Sequence, residues 1–563
     1  MLLLQSFLCA SSKTFFLFAI FLLSDFAQAQ ATNANENIKP KSQGAVWVAD
    51  NGDGIYKNPV LNADYSDPDI VRVGDNFYLT ASSFSNFPGL PILHSKDLVN
   101  WEIISHAAIQ YPIKTFFKPQ HGNGIWAPSL RYHNGEFYIY FGDPDYGIFM
   151  TKTKNPSGPW EPLKLIREAK GWIDPCPLWD DDGSAYLVHA WARSRSGIKH
   201  ILTLNKMNAE GTKILDDVVT IFCDSVKHPT MEGPKLYKRN GYYYIFAPAG
   251  GVKPGWQVVL KSKNIYGPYE DRIVLEQGST NINGPHQGGW VETQTGEAWF
   301  IHFQDRYAYG RIVHLQPMKW ENDWPAIGID YNKNGIGEPV SSYKKPNVGK
   351  KYSVCNPAAN DEFNSAKLGL QWQWQANYNS EWISLKAKKG SLRFYTQPQF
   401  PSQKNLFDIA ALLLQKFPAP EFITTTKVVL TAENVGDKAG LLVFGLDYSY
   451  IGIIKTETGL KVAQFMCKDA DDGNSEEEID FAVVDNSTIY LRVEIKHENV
   501  TEIIPRLLCS FSYSLDGKSF KRIGKEFIAR EGKWVGAKIG IFTTTNRENN
   551  QNSFADFDWF RFE

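Results

Sequence analysis

Three carboxylates recur in one local context in this sequence. Asp67 in "SDPDI" and Asp174 in "WIDPCPL" directly precede a proline, Glu232 in "MEGPKL" precedes Gly-Pro, and an aromatic strand-like run follows each. Three acids gathered in a partly enclosed site repel one another, so protonation must divide their charges or cations must offset them. One protonated and one ionised carboxylate facing each other across a gap suit hydrolysis of a glycosidic bond. The acid donates to the leaving oxygen while the base activates water on the opposite face of the sugar ring. The third carboxylate would raise the pKa of the acid by like-charge repulsion and hold its orientation. A metal cluster is the other use of such a set.

The elements that must bring these acids together are repeated. A turn residue followed by an aromatic or β-branched run appears as "GDNFYLT", "NGEFYIYF", "DGSAYLVH", "NGYYYIF" and "GEAWFIHF". The matching aromatics are Tyr78, Tyr138, Tyr186, Tyr244 and Trp299, separated by 60, 48, 58 and 55 residues. That period is close to one propeller blade, and helical punctuation between the runs is scarce. Stepping back 11 to 13 residues from each aromatic reaches Asp67, Trp126, Asp174, Glu232 and His286, each beside a proline. Proline at a strand entry fixes where ladder pairing begins. The spacing predicts five blades whose innermost strands carry these five residues as a ring at the mouth of a central channel.

The residues now on view carry a resemblance. "NPVLNADYSDPDI", "SKDLVNW", "GIWAPSLRYHNGEFYI", "WIDPCPLWDDDGSAYL" and "EGPKLYKRNGYYYIF", in order from about Asn58 to about Gly328, resemble glycoside hydrolase family 43. The resemblance implies a five-bladed propeller that hydrolyses arabinose- or xylose-containing polysaccharides with inversion at the anomeric carbon. It makes Asp67 the general base, Asp174 the residue that tunes pKa and orientation, and Glu232 the general acid. It also implies that His286 lies near the channel axis, where in some relatives it helps hold calcium or ordered water. Arg311, in "YGRIVHLQPMKW", matches an arginine that contacts the sugar in the deepest subsite, with Trp126 and Phe84 as apolar walls. No cofactor is required on this reading, and a structural calcium near His286 is the one metal it allows.

Neighbouring acids have simpler readings. Asp67 alone could cap a turn, and Asp64 and Asp69 are decoys beside it, Asp69 being turned away by strand alternation. Asp180 to Asp182 read as a solvated hairpin turn ending at Gly183. Asp143 and Asp145 in "FGDPDYG" either touch substrate or shape a loop. A lone histidine such as His286 is more often a structural donor than a ligand, Trp126 could plug the channel, and Arg311 could serve as an ion-pair partner of the carboxylates.

After a linker rich in Gly, Pro, Lys and Asn around residues 332–361, short alternating runs such as "FITTTKVVLTA", "AGLLVFGLD" and "TIYLRVEIKH" predict a β-sandwich. Its start, "DEFNSAKLGLQWQW", and its close, "FADFDWFRF", resemble the concanavalin-like domain appended to exo-acting members of the family. In some relatives a loop of that domain closes one side of the pocket, which would then admit a chain end only. The fold class is therefore all-β: a five-bladed propeller over residues 45–345 followed by a sandwich over 356–563.

Lys13 ahead of "TFFLFAIFLL", with "AQAQ" beyond it, reads as an export signal over residues 1–29, so a periplasmic or secreted protein is expected. No later stretch is apolar enough to enter a membrane as a helix, and a net charge of -2 gives no reason to expect nucleic acid. The five cysteines after the signal, Cys176, Cys223, Cys355, Cys467 and Cys509, show neither a disulfide framework nor zinc spacing. The expected partners are hemicellulose oligosaccharides. The leading substrate is a terminal α-L-arabinofuranosyl residue, with β-D-xylosidase or dual activity as the alternative. A non-catalytic carbohydrate-binding protein and a retaining, fructan-cleaving propeller are the outlying readings.

Overall fold

The computed structural model describes residues 46–498, 504–547 and 552–563. The export signal lies outside the described residues. Among them, residues 69–327 form five four-stranded antiparallel sheets, each built from consecutive strands. Their first strands are Asp69–Val73, Trp126–His133, Trp172–Trp179, Lys235–Arg239 and His286–Glu292. Neighbouring blades pack in sequence order and the fifth returns to the first, so these strands line a closed ring. Helix is confined to Arg193–Ser196 and a few single 3₁₀ turns.

The aromatic runs are the second strands of the blades, and alternation explains their composition. In the second blade Phe137, Ile139 and Phe141 pack toward the first blade, while Tyr138 and Tyr140 pack toward the third. In the fourth, Ile245 and Ala247 face the third blade and Tyr244 and Phe246 face the fifth. A strand buried on both faces must be apolar at every position, which is why these runs lack polar alternation. The ring is closed by the segment before the first blade. Ile55–Lys57 pairs with Ser342–Lys344, and Asn58 exchanges hydrogen bonds with Leu315 of the fifth blade.

Residues 373–562 form two eight-stranded sheets enclosing one core. That core reaches into the propeller through Ala308, Tyr309 and Ile312. Phe87 and Trp374 exchange backbone hydrogen bonds, and Asn377 does the same with Tyr111 through its side chain. Propeller and sandwich are therefore fixed to each other through backbone as well as side chains.

Candidate active site

The residue directly before proline in four of the blades has a positive φ: Asp67 (54°), Ala127 (31°), Asp174 (57°) and Gly233 (60°). Gln287 (30°) occupies the corresponding place in the fifth blade. Pairing register shifts at this level in the second, third and fifth blades. These bulges turn each inner strand so that its first side chains point into the mouth of the channel rather than along it. The ring read from sequence is thus corrected by one residue in three blades. Trp126, Glu232 and His286 each precede the equivalent of Asp67, and Glu232 reaches the centre with its extra methylene. Gly233 is required where it stands, because a Cβ there would lie 2.4 Å from the Gln287 side chain.

The structure brings together every site residue expected from sequence. Asp67, Asp174, Glu232, His286, Arg311, Trp126 and Phe84 all line a single cavity of about 110 Å³. Asp67 is held by three groups. Its Oδ2 accepts from Ser66 Oγ and Ser82 Oγ, both at 2.6 Å, and Arg311 Nη1 reaches Oδ1 at 3.2 Å. Ser82 Oγ also accepts from Ala127 N at 2.7 Å, so one hydroxyl ties the first and second blades together beside Asp67. Arg311 Nη1 further donates to Ser66 Oγ.

Asp174 Oδ2 accepts from Gly233 N at 2.7 Å and from Gln287 Nε2 at 3.3 Å. Burial, then the charge of Glu232 and less strongly that of Asp67, push its carboxyl well above the usual carboxylate range. The shift favours retention of a proton within the ring. Glu232 hydrogen bonds through Oε1 with His286 Nε2 at 3.0 Å. Its side chain is 22% exposed, against 7% for Asp67. Of the two, Glu232 is the one open toward solvent.

Phe84 and Trp126 meet edge to face, and Trp534, from a sandwich loop, meets Trp126 in the same way with centroids 6.1 Å apart. Sequence reasoning anticipated a closing loop but did not find Trp534. Its only signal is a tryptophan among glycines in "EGKWVGAK", far along the chain. Ser82, Ser66 and Gln287 were also missed, since their roles depend on strand geometry.

The neighbouring acids are accounted for structurally. Asp64 accepts from Arg311 N and Gly536 N, anchoring the sandwich loop. Asp69 is fully buried and bound to Arg131 at 2.6 Å, with Lys235 at 3.8 Å. This buried ion-paired cluster lies on the inner strands beyond the ring. Asp143 accepts from Tyr111 Oη, and Asp145 pairs with Arg195. The triple-aspartate turn is solvated only at Asp181 and Asp182; Asp180 is drawn in by Lys238 and Tyr243.

For calcium, the ring offers two buried atoms without a protein partner, His286 Nδ1 and Gln287 Oε1. Calcium takes six to eight oxygens. Among the described residues no group of three or more His, Cys, Asp or Glu is arranged to hold a metal ion. These donors do not make a calcium cage.

Residues 56–325 match the family model of glycosyl hydrolases family 43. Residues 360–563 match that of the beta xylosidase C-terminal concanavalin A-like domain. The chain is 39% identical over 526 residues, 92% of each chain, to a Xylanibacter ruminicola protein with a provisional β-xylosidase name. The chain belongs to glycosyl hydrolases family 43. A Formosa agariphila protein named beta-xylosidase is 32% identical, covering 96% of this family-43 chain and 95% of its own. The non-reducing end alpha-L-arabinofuranosidase of Bacteroides ovatus is 29% identical over 90% of this chain and 94% of its own. Among solved structures, a family-43 protein of Bacillus licheniformis superposes with a TM-score of 0.76 at 28% identity, covering 90% and 99% of the two chains. The protein is a glycosidase of this family.

Proposed function

We propose that this family-43 glycosidase is an inverting exo-enzyme that removes single β-D-xylosyl residues from the non-reducing ends of xylan-derived oligosaccharides. The observation that carries the reading is the small cavity of about 110 Å³ in which three carboxylates and Arg311 share the lining with Phe84, Trp126 and, from the sandwich, Trp534. Such a pocket accepts one sugar ring at a chain end and stops a polymer from threading through.

Asp67 acts as general base. Its hydrogen bonds from two serines and Arg311 fix the carboxyl group and aim one oxygen at a water below the anomeric carbon. Glu232 delivers the proton to the leaving oxygen from the more open side of the cavity. Asp174 keeps a proton within the ring by repulsion and orients the Glu232 segment through Gly233 N. Arg311 and the aromatic walls position the sugar, and His286 positions Glu232.

The order of the two sugars set by sequence is exchanged in this proposal. The relatives at 39% and 32% identity carry xylosidase names, and the arabinofuranosidase stands at 29%. Removal of α-L-arabinofuranose remains the second reading on the strength of that relative. Initial rates on aryl β-D-xylopyranoside and aryl α-L-arabinofuranoside, with Asp67→Asn as the blank, separate the two. A higher kcat/KM on the xyloside supports the proposal, and a higher value on the arabinoside supports the second reading. Export to the periplasm or medium belongs to the same proposal and rests on Lys13 and the apolar run after it. Cleavage after Ala29, read by N-terminal sequencing of the exported protein, is the outcome that supports it.

A further inference from the structure

A second cavity, of about 70 Å³, lies in the seam between propeller and sandwich and takes no part in the chemistry above. Trp47, Leu61 and Tyr65 give it apolar walls. Its polar lining is made of donors. Gln415 Nε2 and Asn356 Nδ2 are buried there without a hydrogen-bond partner, as is His106 Nδ1. Lys416 lines the same space, with its amine over the Tyr65 ring at 5.3 Å. Buried amide hydrogens without acceptors are rare in folded proteins and point to something that is bound there.

The charges around this cavity do not balance. Lys416 sits directly opposite Lys538 on adjacent antiparallel strands, Leu412–Lys416 and Lys538–Thr545. Cross-strand partners hold their side chains on the same face. Lys538 Nζ is buried without a partner. Burial pushes both amines down, Lys538 further because of Lys416, and Asp64 is the one carboxylate that offsets either of them. His106 is held neutral, pushed down to about 3 by burial and by Lys416. Two buried amines thus share one acid, which already accepts two backbone N–H groups.

We propose that this cavity is a binding site for a short-chain carboxylate such as acetate or propionate. The carboxylate accepts from Lys416, Gln415 and Asn356, and its alkyl end lies against Trp47, Leu61 and Tyr65. A carboxylate can use up to four acceptor positions, which matches convergent amide and amine donors. The size is in keeping, since an apolar cavity of ~150 Å³ holds benzene, so about half that volume suits an ion of four or five heavy atoms. The ligand would join a sandwich strand (Lys416), a propeller strand (His106 in Trp101–Ala108) and the connecting segment (Asn356). It would thereby brace the seam that Asp64 extends to Gly536 and the Trp534 loop.

The test is thermal unfolding of the full-length mature protein titrated with sodium propionate, propionamide and sodium chloride at matched ionic strength. A ligand that binds only the folded state raises Tm with saturation. The expected result is a saturable rise with propionate, none with propionamide, and at least tenfold weaker binding in Lys416→Met and in Gln415→Leu. An equal rise with propionamide or chloride, no rise at all, or a rise unchanged in both variants would overturn the proposal. Should either variant fail to fold, crystals of the wild-type protein soaked in propionate decide the matter: density bonded to Lys416 supports the site, and water alone there refutes it.

Discussion

At the residue scale the account rests on the division of labour between Asp67 and Glu232. Glu232→Gln keeps the bond to His286 while removing the proton donor, so kcat on substrates with poor leaving groups should fall by about 10²–10⁴. The loss should be much smaller on aryl glycosides whose phenol needs little protonation. Asp67→Asn lacks that rescue and should be equally inactive on both, which a leaving-group series measures directly. Asp143 gives a second, separable test. Burial pushes its carboxyl up to about 6, so the folded protein favours the protonated form. The stability this contributes is complete below the unfolded value near 3.8 and is lost as pH rises through about 6. Because this contribution grows as pH falls, Asp143→Asn should lower Tm more at pH 4 than at pH 6.5, steepening the acid-side drop relative to wild type. Asp67, Asp174 and Glu232 were legible in sequence because a proline beside each marked a strand entry. Gln287 was not, because it takes the same backbone position without a proline.

At the element scale the Trp534 loop is the piece that gives the cavity a wall from outside the propeller. Gly536 packs so closely on residues 309 and 310 that a Cβ would lie 2.6 Å from Gly310 N. Backbone cannot yield cheaply there, so Gly536→Ala should shift the loop and the Trp534 ring with it. A displacement of about 1 Å at a substrate wall can reduce kcat/KM by up to ~10²-fold. We expect the loss to appear mainly in KM, with the melting temperature of the propeller little changed, as steady-state kinetics and calorimetry would show. The blade strands were readable because their aromatic runs repeat with a turn signal before each. The off-by-one placement of Trp126 and His286 was not, since a bulge inserts a residue without changing the hydrophobic pattern.

At the scale of the whole molecule, stability should depend on keeping buried histidines neutral. His106, at the seam, is pushed down to about 3, and His121, which stacks on Phe407 of the sandwich, to about 4. His189 and His302, inside the blades, are also pushed down to about 4, in every case chiefly by burial. Each has a folded value below its unfolded value of 6.5, so the unfolded chain binds more protons in this range. The stability they contribute is complete above 6.5 and is lost as pH falls toward 4. Asp143 and Asp174, both with raised carboxyls, act in the opposite direction, but as two groups against four. Tm should therefore drop steeply between pH 6.5 and 4, and urea midpoints over the same range provide the check. The two-part architecture was legible in sequence, because the linker near 345 and the change of repeat separate it. The shared core was not, since Ala308, Tyr309 and Ile312 read as ordinary propeller residues.

The central claim is that Asp67 and Glu232 hydrolyse a terminal pentoside by direct displacement with water. The measurement that tests it most directly is proton NMR of the anomeric signal during the first minutes of aryl β-D-xylopyranoside hydrolysis, before mutarotation scrambles the product. The account predicts that α-xylose appears first, at a rate abolished by Asp67→Asn. First appearance of β-xylose would mean retention through a covalent intermediate and would contradict the assigned roles.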